Sequence, residues 1–308
     1  MSSSIVLSVV ICSYNRANYI RKALESIKNQ SYDYNAYELI VVNNNSTDNT
    51  EEICADFESK KGNLQYVYAV EKKQGLSCAR NKGIQLAGGK YISFIDDDAI
   101  AKENYVEQII WAFETYTNFE ALGGKVLPIY PNNTEPLWMS KYLNGLVAKV
   151  DMGDAVSQFT NKYPVGCNMA FHKKIFDEIG MFNEELTFRN DDKYIFLQIK
   201  KAGKKILYIP TIVVHHNIDA ERIQYKNLIK LCYAIGYSER VRLQHHSFIE
   251  KMIKGIEYTI KFFASYLLAI PFLLNKQSEK GRFLITVRKY ILVSYIKPDL
   301  YKGVWWNS

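Results

Sequence analysis

Residues 5–30 read IVLSVVICSYNRANYIRKALESIKNQ, and this stretch sets the pattern for the first part of the chain. Ile5 to Cys12 is apolar and rich in β-branched residues, which is typical of a buried strand. In the following segment, Tyr19 to Gln30, the apolar residues recur at i, i+3, i+4 and i+7, as Ile20, Ala23, Leu24 and Ile27. This is the spacing of one face of an amphipathic helix. The stretch therefore predicts a strand followed by a helix.

The same unit recurs along the next part of the chain. Further apolar runs predict strands at Leu39 to Val42, Leu64 to Val70 and Tyr91 to Ile95, with helices around Ile53 and Phe57 and at Leu76 to Ala87. Strands that alternate with helices indicate an α/β fold with a mostly parallel sheet covered on both faces. Later segments predict strands at Pro164 to Phe171 and Ile206 to Val214, helices at Ile175 to Gly180 and Asp192 to Ala202, and a largely helical chain from Ile223 onward.

The composition describes a globular chain whose positive charge is concentrated at one end. Of the 308 residues, 48% are hydrophobic and 23% are charged, which excludes a disordered or collagen-like protein. Residues 1–220 carry 24 Lys and Arg against 26 Asp and Glu, whereas residues 221–308 carry 15 against 6. The net charge of +7 is therefore no indication of nucleic-acid binding. The five cysteines lack any C-x-x-C spacing, which favours reduced thiols in the cytoplasm.

Polar residues follow three predicted strands at their carboxyl ends, where open α/β sheets bind ligands. Ser13 to Arg16 follow the first strand, Asn43 to Ser46 the second, and Asp96 to Asp98 the fourth. Three adjacent carboxylates repel one another unless a cation compensates them, and Mg²⁺ commonly joins one or two carboxylates to phosphate oxygens. A solvated acidic turn is the alternative, but the position at the end of a strand favours the metal site.

An acidic pair and a histidine pair lie further along the chain. Asp191 and Asp192 precede a predicted helix, where carboxylates either cap the helix or act as a general base. His215 and His216 end a predicted strand. One imidazole can complete a metal site with the acidic cluster, or the pair can be a surface or hydrogen-bonded feature. Spacing alone leaves both alternatives open for each pair.

Motifs of several other enzyme classes are absent from the sequence. It contains no G-x-G-x-x-G opening a helix, no phosphate loop, no G-x-S-x-G and no H-E-x-x-H. Dehydrogenase, P-loop NTPase, α/β-hydrolase and zincin interpretations are therefore excluded. A nucleotidyltransferase would carry a Gly- and Arg-rich loop after the first strand, where this chain has CSYNRANY.

Five ordered motifs between about Ile5 and His216 resemble glycosyltransferase family 2, which has the GT-A fold. The motifs are VVICSYNR, ELIVVNNNSTDNT, GLSCARNKGIQLAGGKYISFIDDD, VGCNMAFHKKIFDEIGMFNEEL and DDKYIFLQIKKAGKKILYIP. The resemblance implies a GT-A sheet flanked by helices. It also implies inverting transfer of a sugar from a nucleotide diphosphate donor, with Mg²⁺ or Mn²⁺ as the cofactor.

The resemblance further implies roles for individual residues. Asp98, Asp96 and His216 are expected at the metal. Asp192 and Asp191 are expected to be catalytic, Asp192 as the base and Asp191, where the family has Glu, as a carboxylate that can hold the acceptor hydroxyl. The expected donor-binding residues are Ser13, Tyr14, Arg16, Asn43, Asn45, Arg80, Asp96 and Asp97. Asn43 stands where the family usually has an Asp that accepts the uracil N3–H, so the bond loses its charge-assisted strength. UDP is the favoured donor nucleotide, with GDP or dTDP open.

The predicted catalytic domain spans residues 1–220, with 1–100 as the nucleotide-sugar half and 101–220 as the acceptor half. Residues 221–308 are predicted to form a basic, aromatic, helical extension. Within it, Phe262 to Leu274 is apolar but short for a membrane span, and Pro271 is expected to break it. Flanking lysines and arginines suit an anionic membrane surface, and a helical cap on the catalytic domain is the alternative.

These observations together predict a cytoplasmic glycosyltransferase, peripheral at the inner face of the cell membrane. Its partners would be a nucleotide-sugar donor, a growing surface polysaccharide or lipid-linked oligosaccharide as the acceptor, and the membrane. No nucleic acid is expected, and the oligomeric state is left open. The alternative function is a non-catalytic, nucleotide-binding scaffold of a glycan-assembly complex, which Asn43 favours and the intact acidic clusters oppose.

Overall fold

A computed structural model describes residues 5–186 and 189–300 of the chain. The strands are β1 (Leu7–Ser13), β2 (Tyr37–Asn43), β3 (Gln65–Val70), β4 (Tyr91–Asp96), β5 (Ala99–Ala101), β6 (Ala121–Ile129), β7 (Ser157–Gln158), β8 (Met169–His172) and β9 (Ile206–Asn217). The helices are α1 (Ala17–Lys28), α2 (Thr50–Lys60), α3 (Leu76–Leu86), α4 (Tyr105–Thr115), α5 (Ile175–Ile179), α6 (Asp191–Lys201), α7 (Tyr225–Arg242), α8 (Phe248–Leu274) and α9 (Ser278–Ile296).

The strands form one mixed sheet in the order β3-β2-β1-β4-β8-β6-β9-β5, with β7 paired to β9. The four strands β3, β2, β1 and β4 are parallel to one another, whereas β4–β8, β6–β8 and β5–β9 are antiparallel. The predicted α/β fold, a mostly parallel sheet flanked by helices and followed by C-terminal helices, is confirmed. Its antiparallel pairs lie on the side of the sheet away from β3.

The chain forms two compact units, which we describe separately. The first, the sheet unit, comprises the described parts of residues 1–128, 148–187 and 191–217, and the second, the helical unit, comprises those of 129–147, 188–190 and 218–308. In the sheet unit, alternate residues of β1 enter different cores. Val9 and Ile11 pack with Ile20 of α1, and Val10 packs with Ile84 of α3. The sheet is therefore buried on both faces, as its apolar strands predict.

The helical unit has its own core. Its buried residues are Tyr130, Met139, Leu143, Leu146, Val147, Ile218, Leu228, Cys232, Leu284, Val287 and Ile291. Helix α9 packs against both α7 and α8. The close approach of α7 to α9 requires glycine, because a Cβ at Gly236 would lie 2.3 Å from the carbonyl oxygen of Ile291.

Several elements differ from the sequence predictions. Helix α4 and strands β5, β6 and β7 are not among the predicted elements. Of these, β5 and β7 have only three and two residues, which is too short to show a period. Pro271 does not break its helix; it lies in the last turn of α8, which continues to Leu274. There the proline removes one backbone hydrogen bond, and the packing of α8 against α9 keeps the helix continuous. By length and composition alone, α8 is long and apolar enough to cross a membrane.

A substitution at Gly124 on β6 tests how closely β6 packs against β9. A Cβ there would lie 1.9 Å from the carbonyl oxygen of Ile212 on β9, a backbone atom that cannot move away alone. We expect Gly124→Ala to lower the free energy of unfolding by about 2–3 kcal/mol, measured by urea unfolding. In Gly145→Ala, the matched control, the new Cβ meets no atom within 4 Å, so we expect a change within about 0.5 kcal/mol. Equal unfolding midpoints for the two variants would contradict the packing at β6.

Candidate active site

The candidate site lies at the carboxyl ends of the parallel strands, which the sheet register brings level. Ser13 is opposite Asn43, and Cys12 is opposite Asp96. The loops that follow β1 and β2 are tied together, because Asn15 accepts a hydrogen bond from the Thr47 N–H at 2.8 Å. Asn15 and Asn45 both have a left-handed backbone, with φ of 53° and 60°, which Asn tolerates better than most residues. The loops therefore have one defined arrangement at the end of the sheet.

Asn43 and Asn44 are buried and hold this loop structure. The amide nitrogen of Asn43 donates to the Tyr68 hydroxyl at 2.8 Å, and its carbonyl oxygen accepts from the Ser46 N–H at 2.9 Å. Asn44 donates to the carbonyls of Glu71 and Lys73 and so fixes the segment after β3. The position of Asn43 is thus set by its neighbours, and contact with a nucleobase would use the second lone pair of its oxygen.

Asp96, Asp98 and His216 form a buried group suited to a metal ion. One possible ligand atom from each lies within 4.8 Å of the others. The antiparallel pairing of β5 with β9 places Ala99 opposite His216, so His216 arrives beside Asp98, and its Nε2 is 3.2 Å from an Asp98 oxygen. Asn217 donates two hydrogen bonds to the Asp98 carbonyl, both of 2.9 Å, which fixes the turn. The two carboxylates are the oxygen ligands that Mg²⁺ and Mn²⁺ prefer, and the imidazole adds a nitrogen ligand that suits transition metals better than Mg²⁺. The residues therefore fit the expected cation, Mn²⁺ better than Mg²⁺.

The acidic cluster is electrostatically unfavourable without a cation. Burial, followed by the neighbouring charge of Asp98, raises the pKa of Asp97 to about 8. Burial also raises the pKa of Asp96, although Arg80 opposes the shift. Arg16 supplies part of the compensation, with its Nη2 3.2 Å from Asp98 and its Nε 3.9 Å from Asp97. Carboxylates with raised pKa values hold their protons to a higher pH than free carboxylates do, and a bound divalent cation would compete with those protons.

Arg80 is a buried cation between two carboxylates from different elements. Its guanidinium on α3 forms a short ion pair with Asp191 at the start of α6, and a second one of 3.2 Å with Asp96 at the end of β4. Burial alone would lower the pKa of Arg80, but Asp191 and Asp96 raise it above its ordinary value. The side chain also lies against the rings of Phe94 and Phe182. Arg80 therefore fixes the metal group relative to the N-terminus of α6.

Asp191 and Asp192 have different environments, although they are adjacent in sequence. Asp191 is 3% exposed and is bound to Arg80, whereas Asp192 is half-buried at the first turn of α6. The backbone N–H of Gly166 donates to Asp192 at 3.2 Å. Gly166 also makes room for Arg80, because a Cβ there would lie 2.4 Å from the guanidinium. Of the pair, Asp192 is the carboxylate that can meet a substrate.

The other predicted donor-binding residues lie around the same end of the sheet. Tyr14 is 49% exposed, Asn45 is exposed, and Ser13 is buried at the end of β1. Sequence reasoning missed three supporting residues: Asn44, Gly166 and Asp48, which accepts a hydrogen bond from the Ala17 N–H at the start of α1. The motifs NNNSTDNT and VGCN contain all three, so their presence was visible, but their contacts were not.

A separate cavity of about 670 Å³ lies at the opposite end of the sheet. Lys90, His172 and Lys173 line it. Lys90 precedes β4, so this cavity is at the amino end of the strand whose carboxyl end carries Asp96. It is therefore not the place where an α/β sheet binds its ligand.

The Arg80 ion pairs give a stability prediction. Arg80→Leu would leave Asp96 and Asp191 close together without their buried cation, so we expect the free energy of unfolding to fall by about 3–5 kcal/mol. Arg21→Leu, the matched control, removes an exposed ion pair of 2.7 Å to Asp56 and should change stability little. Chemical unfolding of the three proteins tests this, and equal effects of the two substitutions would contradict it.

Comparison with known proteins identifies the family of the chain. The model of Glycosyl transferase family 2 matches residues 8–180, more than half of the chain. Glucosyl-dolichyl phosphate glucuronosyltransferase of Haloferax volcanii is 26% identical over 249 residues, which cover 76% of each chain. Minor teichoic acid biosynthesis protein GgaB of Bacillus subtilis is 38% identical over 111 residues, which cover 36% of this chain and only 12% of that protein.

A solved structure agrees with the fold. The mannosyltransferase PcManGT from Pyrobaculum calidifontis, in complex with GDP-Man and Mn²⁺, has a TM-score of 0.63 at 17% identity, covering 98% of this chain and 88% of PcManGT. The family match excludes the nucleotidyltransferase interpretation. The chain belongs to glycosyltransferase family 2 and has the GT-A fold.

Proposed function

We propose that this glycosyltransferase is an inverting, metal-dependent enzyme that transfers a hexose-type sugar from a nucleotide diphosphate to a hydroxyl group. The observation that carries the proposal is the division of the site into two acidic centres. Asp96, Asp98 and His216 form one centre, and Asp192 belongs to the other. A metal-assisted departure of a diphosphate and a general base at the acceptor need two such centres.

The first centre would hold the donor. Asp96, Asp98 and His216 would bind Mg²⁺ or Mn²⁺, which when bound neutralises negative charge on the diphosphate. The residues proposed for the donor side are Ser13, Tyr14, Arg16, Asn43, Asn45, Arg80, Asp96 and Asp97. Arg80 is buried and would act by holding Asp96 in place. Arg16 already lies 3.2 Å from Asp98 and is therefore close enough to contact a diphosphate bound there.

The second centre would hold the acceptor. Asp192 takes the proton of the attacking hydroxyl at a carboxylate oxygen, while the Gly166 N–H keeps that carboxylate oriented. Asp191 does not accept the proton, because it is buried and bound to Arg80; its role is to hold the start of α6 in place. A single displacement at the anomeric carbon inverts its configuration, and the chain needs no carboxylate nucleophile.

UDP is the favoured donor nucleotide, with GDP and dTDP as alternatives. Asn43 retains a carbonyl oxygen at the position where the family has an acceptor for the uracil N3–H, which supports UDP. That oxygen already accepts a bond from Ser46, so we expect weaker nucleobase binding than an aspartate would give. The structural relative PcManGT contains GDP-Man, which keeps GDP among the alternatives.

The proposed acceptor is a growing surface polysaccharide or a lipid-linked oligosaccharide. The names of two relatives support this class, since one acts on a glucosyl-dolichyl phosphate and the other belongs to teichoic acid biosynthesis. A lipid-linked acceptor would place the enzyme at the inner face of the cell membrane as a peripheral protein. The basic helices after residue 220 are consistent with that location.

Thermal stabilisation by nucleotides tests the donor site. We expect one of UDP, GDP or dTDP to raise the melting temperature in the presence of Mn²⁺, because ligands that bind the native state stabilise it. Asp98→Ala should abolish the shift. The shift should be larger at pH 8 than at pH 6, because protons on Asp96 and Asp97 compete with the cation, and their pKa values are raised. In chelator, the same raised pKa values should make the protein less stable as the pH rises towards 8.

Asp154→Asn is the control for these measurements, since Asp154 is an exposed carboxylate paired with Lys125. It should behave as the wild type. The absence of any nucleotide effect in a folded sample would contradict the donor site and favour the non-catalytic scaffold.

Asp192→Asn tests the general base. The amide keeps an oxygen for the Gly166 N–H but cannot take a proton, so we expect nucleotide-dependent stabilisation to persist. Turnover, measured as release of the nucleoside diphosphate, should fall by at least about 10²-fold. Full turnover in Asp192→Asn would show that another group acts as the base.

A further inference from the structure

Helix α8 exposes a continuous apolar face. Met252, Ile256, Phe263, Leu267, Ile270 and Leu274 are each between 47% and 78% exposed. At about 100° per residue, these six positions fall within an arc of about 60° on the helix, and they extend along about 33 Å. We call this surface the α8 face. Monomeric proteins rarely expose a contiguous apolar surface of such length without an interaction partner.

The half of α8 opposite the α8 face packs on the protein through Lys251, Lys254, Ser265 and Ala269, whereas Glu250 and Lys261 of the same half are exposed. The charged residues of the helix all lie on the side opposite the α8 face, as Glu250, Lys251, Lys254, Glu257 and Lys261. There Lys254 lies 3.5 Å from the buried Glu239 of α7, and Tyr295 of α9 donates to the Lys251 carbonyl at 2.7 Å. A surface helix of a water-exposed protein has the reverse arrangement. The packing therefore fixes α8 with its apolar side outward.

We propose that the α8 face binds an anionic lipid membrane, with α8 lying flat in one leaflet. Charge selects this occupant over a second copy of the chain. Residues 221–308 carry 15 Lys and Arg against 6 Asp and Glu, and Lys276 and Arg282, just beyond the end of α8, are exposed. Pairing two such faces would bring two strongly basic regions together, whereas an anionic leaflet compensates them.

The contacts of α8 also select a flat orientation over a membrane span. Glu257 and Lys261 lie in the middle third of the helix and Lys254 lies just before it, and Glu257 is bonded to both lysines. A span would bury these charges in hydrocarbon and would separate α8 from α9 along its length. A flat helix leaves the polar half on the protein and inserts only the α8 face, as interfacial amphipathic helices do.

This surface deepens the proposed function, on which its biological purpose rests. An enzyme held flat on the leaflet by α8 meets lipid-linked acceptors by diffusion in two dimensions. The binding itself depends only on α8 and its charges, and can therefore be tested without any donor or acceptor.

Vesicle flotation with the full chain tests the binding. We expect the wild type to float with vesicles that contain about one-third phosphatidylglycerol in phosphatidylcholine, and to float much less with phosphatidylcholine alone. Phe263→Glu/Leu267→Glu should reduce the bound fraction by more than about tenfold, because both side chains are exposed and enter the leaflet. No flotation of the wild type, or equal flotation of the variant, would overturn the proposal.

A matched control separates insertion from added charge. Trp111→Glu/Met181→Glu introduces the same two charges at exposed apolar positions of the sheet unit, and it should float like the wild type. Unchanged melting temperatures of both double variants would show that they fold. A doubled mass by analytical ultracentrifugation without lipid, reversed by Phe263→Glu/Leu267→Glu, would show that a second copy covers the face instead.

Labelling at three positions tests the flat orientation. A fluorophore attached to Met252→Cys, Phe263→Cys or Leu274→Cys should be quenched equally, and best by lipids brominated near the headgroup. A span would place the central label deepest and the terminal labels near the surface, which would overturn the flat orientation.

The two proposals fail in different ways. Loss of flotation with intact nucleotide-dependent stabilisation would overturn the membrane surface and leave the transferase. Flotation without nucleotide-dependent stabilisation would overturn the proposed transferase and leave the membrane surface.

Discussion

The buried guanidinium of Arg80 is the interaction on which the site depends. Asp96 comes from the end of β4 and Asp191 from the start of α6, and without the guanidinium the partly exposed Asp96 would lie beside the buried Asp191 with no cation between them. Desolvation makes an unpaired carboxylate very costly, so the two elements can approach only around a cation. Gly166 permits this arrangement, because any side chain there would occupy the space of the guanidinium. One arginine and one glycine thus determine where α6 begins.

This arrangement separates the duties of two adjacent aspartates. Asp191 is buried and its carboxylate is paired with the Arg80 guanidinium, so it is a poor proton acceptor for a substrate. Asp192 lies one residue further around the first turn, is half-buried and accepts hydrogen bonds from the backbone N–H groups of Gly166 and Lys193. The helix orients it, and the ion pair next to it prevents the helix from shifting. A carboxylate held in one orientation suits the general base that we propose for Asp192.

The strands and helices that could be predicted from the sequence are those with strong local periodicity. β1 to β4 and α1 to α3 each have an apolar pattern of their own, and the acidic cluster after β4 can be recognised in the sequence as three consecutive aspartates. The partners of that cluster are not visible. His216 reaches Asp98 through the register of the three-residue strand β5 on β9, and Arg80 reaches Asp191 across the core. Such contacts join distant parts of the chain and leave no period in the sequence.

The contacts of Asn43 could not be predicted from the sequence either, because its hydrogen bonds to Tyr68 and Ser46 do not follow from its position after β2.

Helix α8 shows how one pattern can have opposite meanings. Its spacing of apolar residues is that of any amphipathic helix, and the sequence alone allows a packed cap, a short membrane segment or an interfacial helix. The direction of the apolar face is decided by the polar half, which the buried Glu239 and the carbonyl contact of Tyr295 hold against the neighbouring helices. Turning α8 inward would leave Glu239 without Lys254 and would expose the buried small residues Ser265 and Ala269, of which Ala269 lies against Gly281 of α9. The outward apolar face is therefore a consequence of the polar contacts, and it costs the folded chain stability in water unless something apolar covers it.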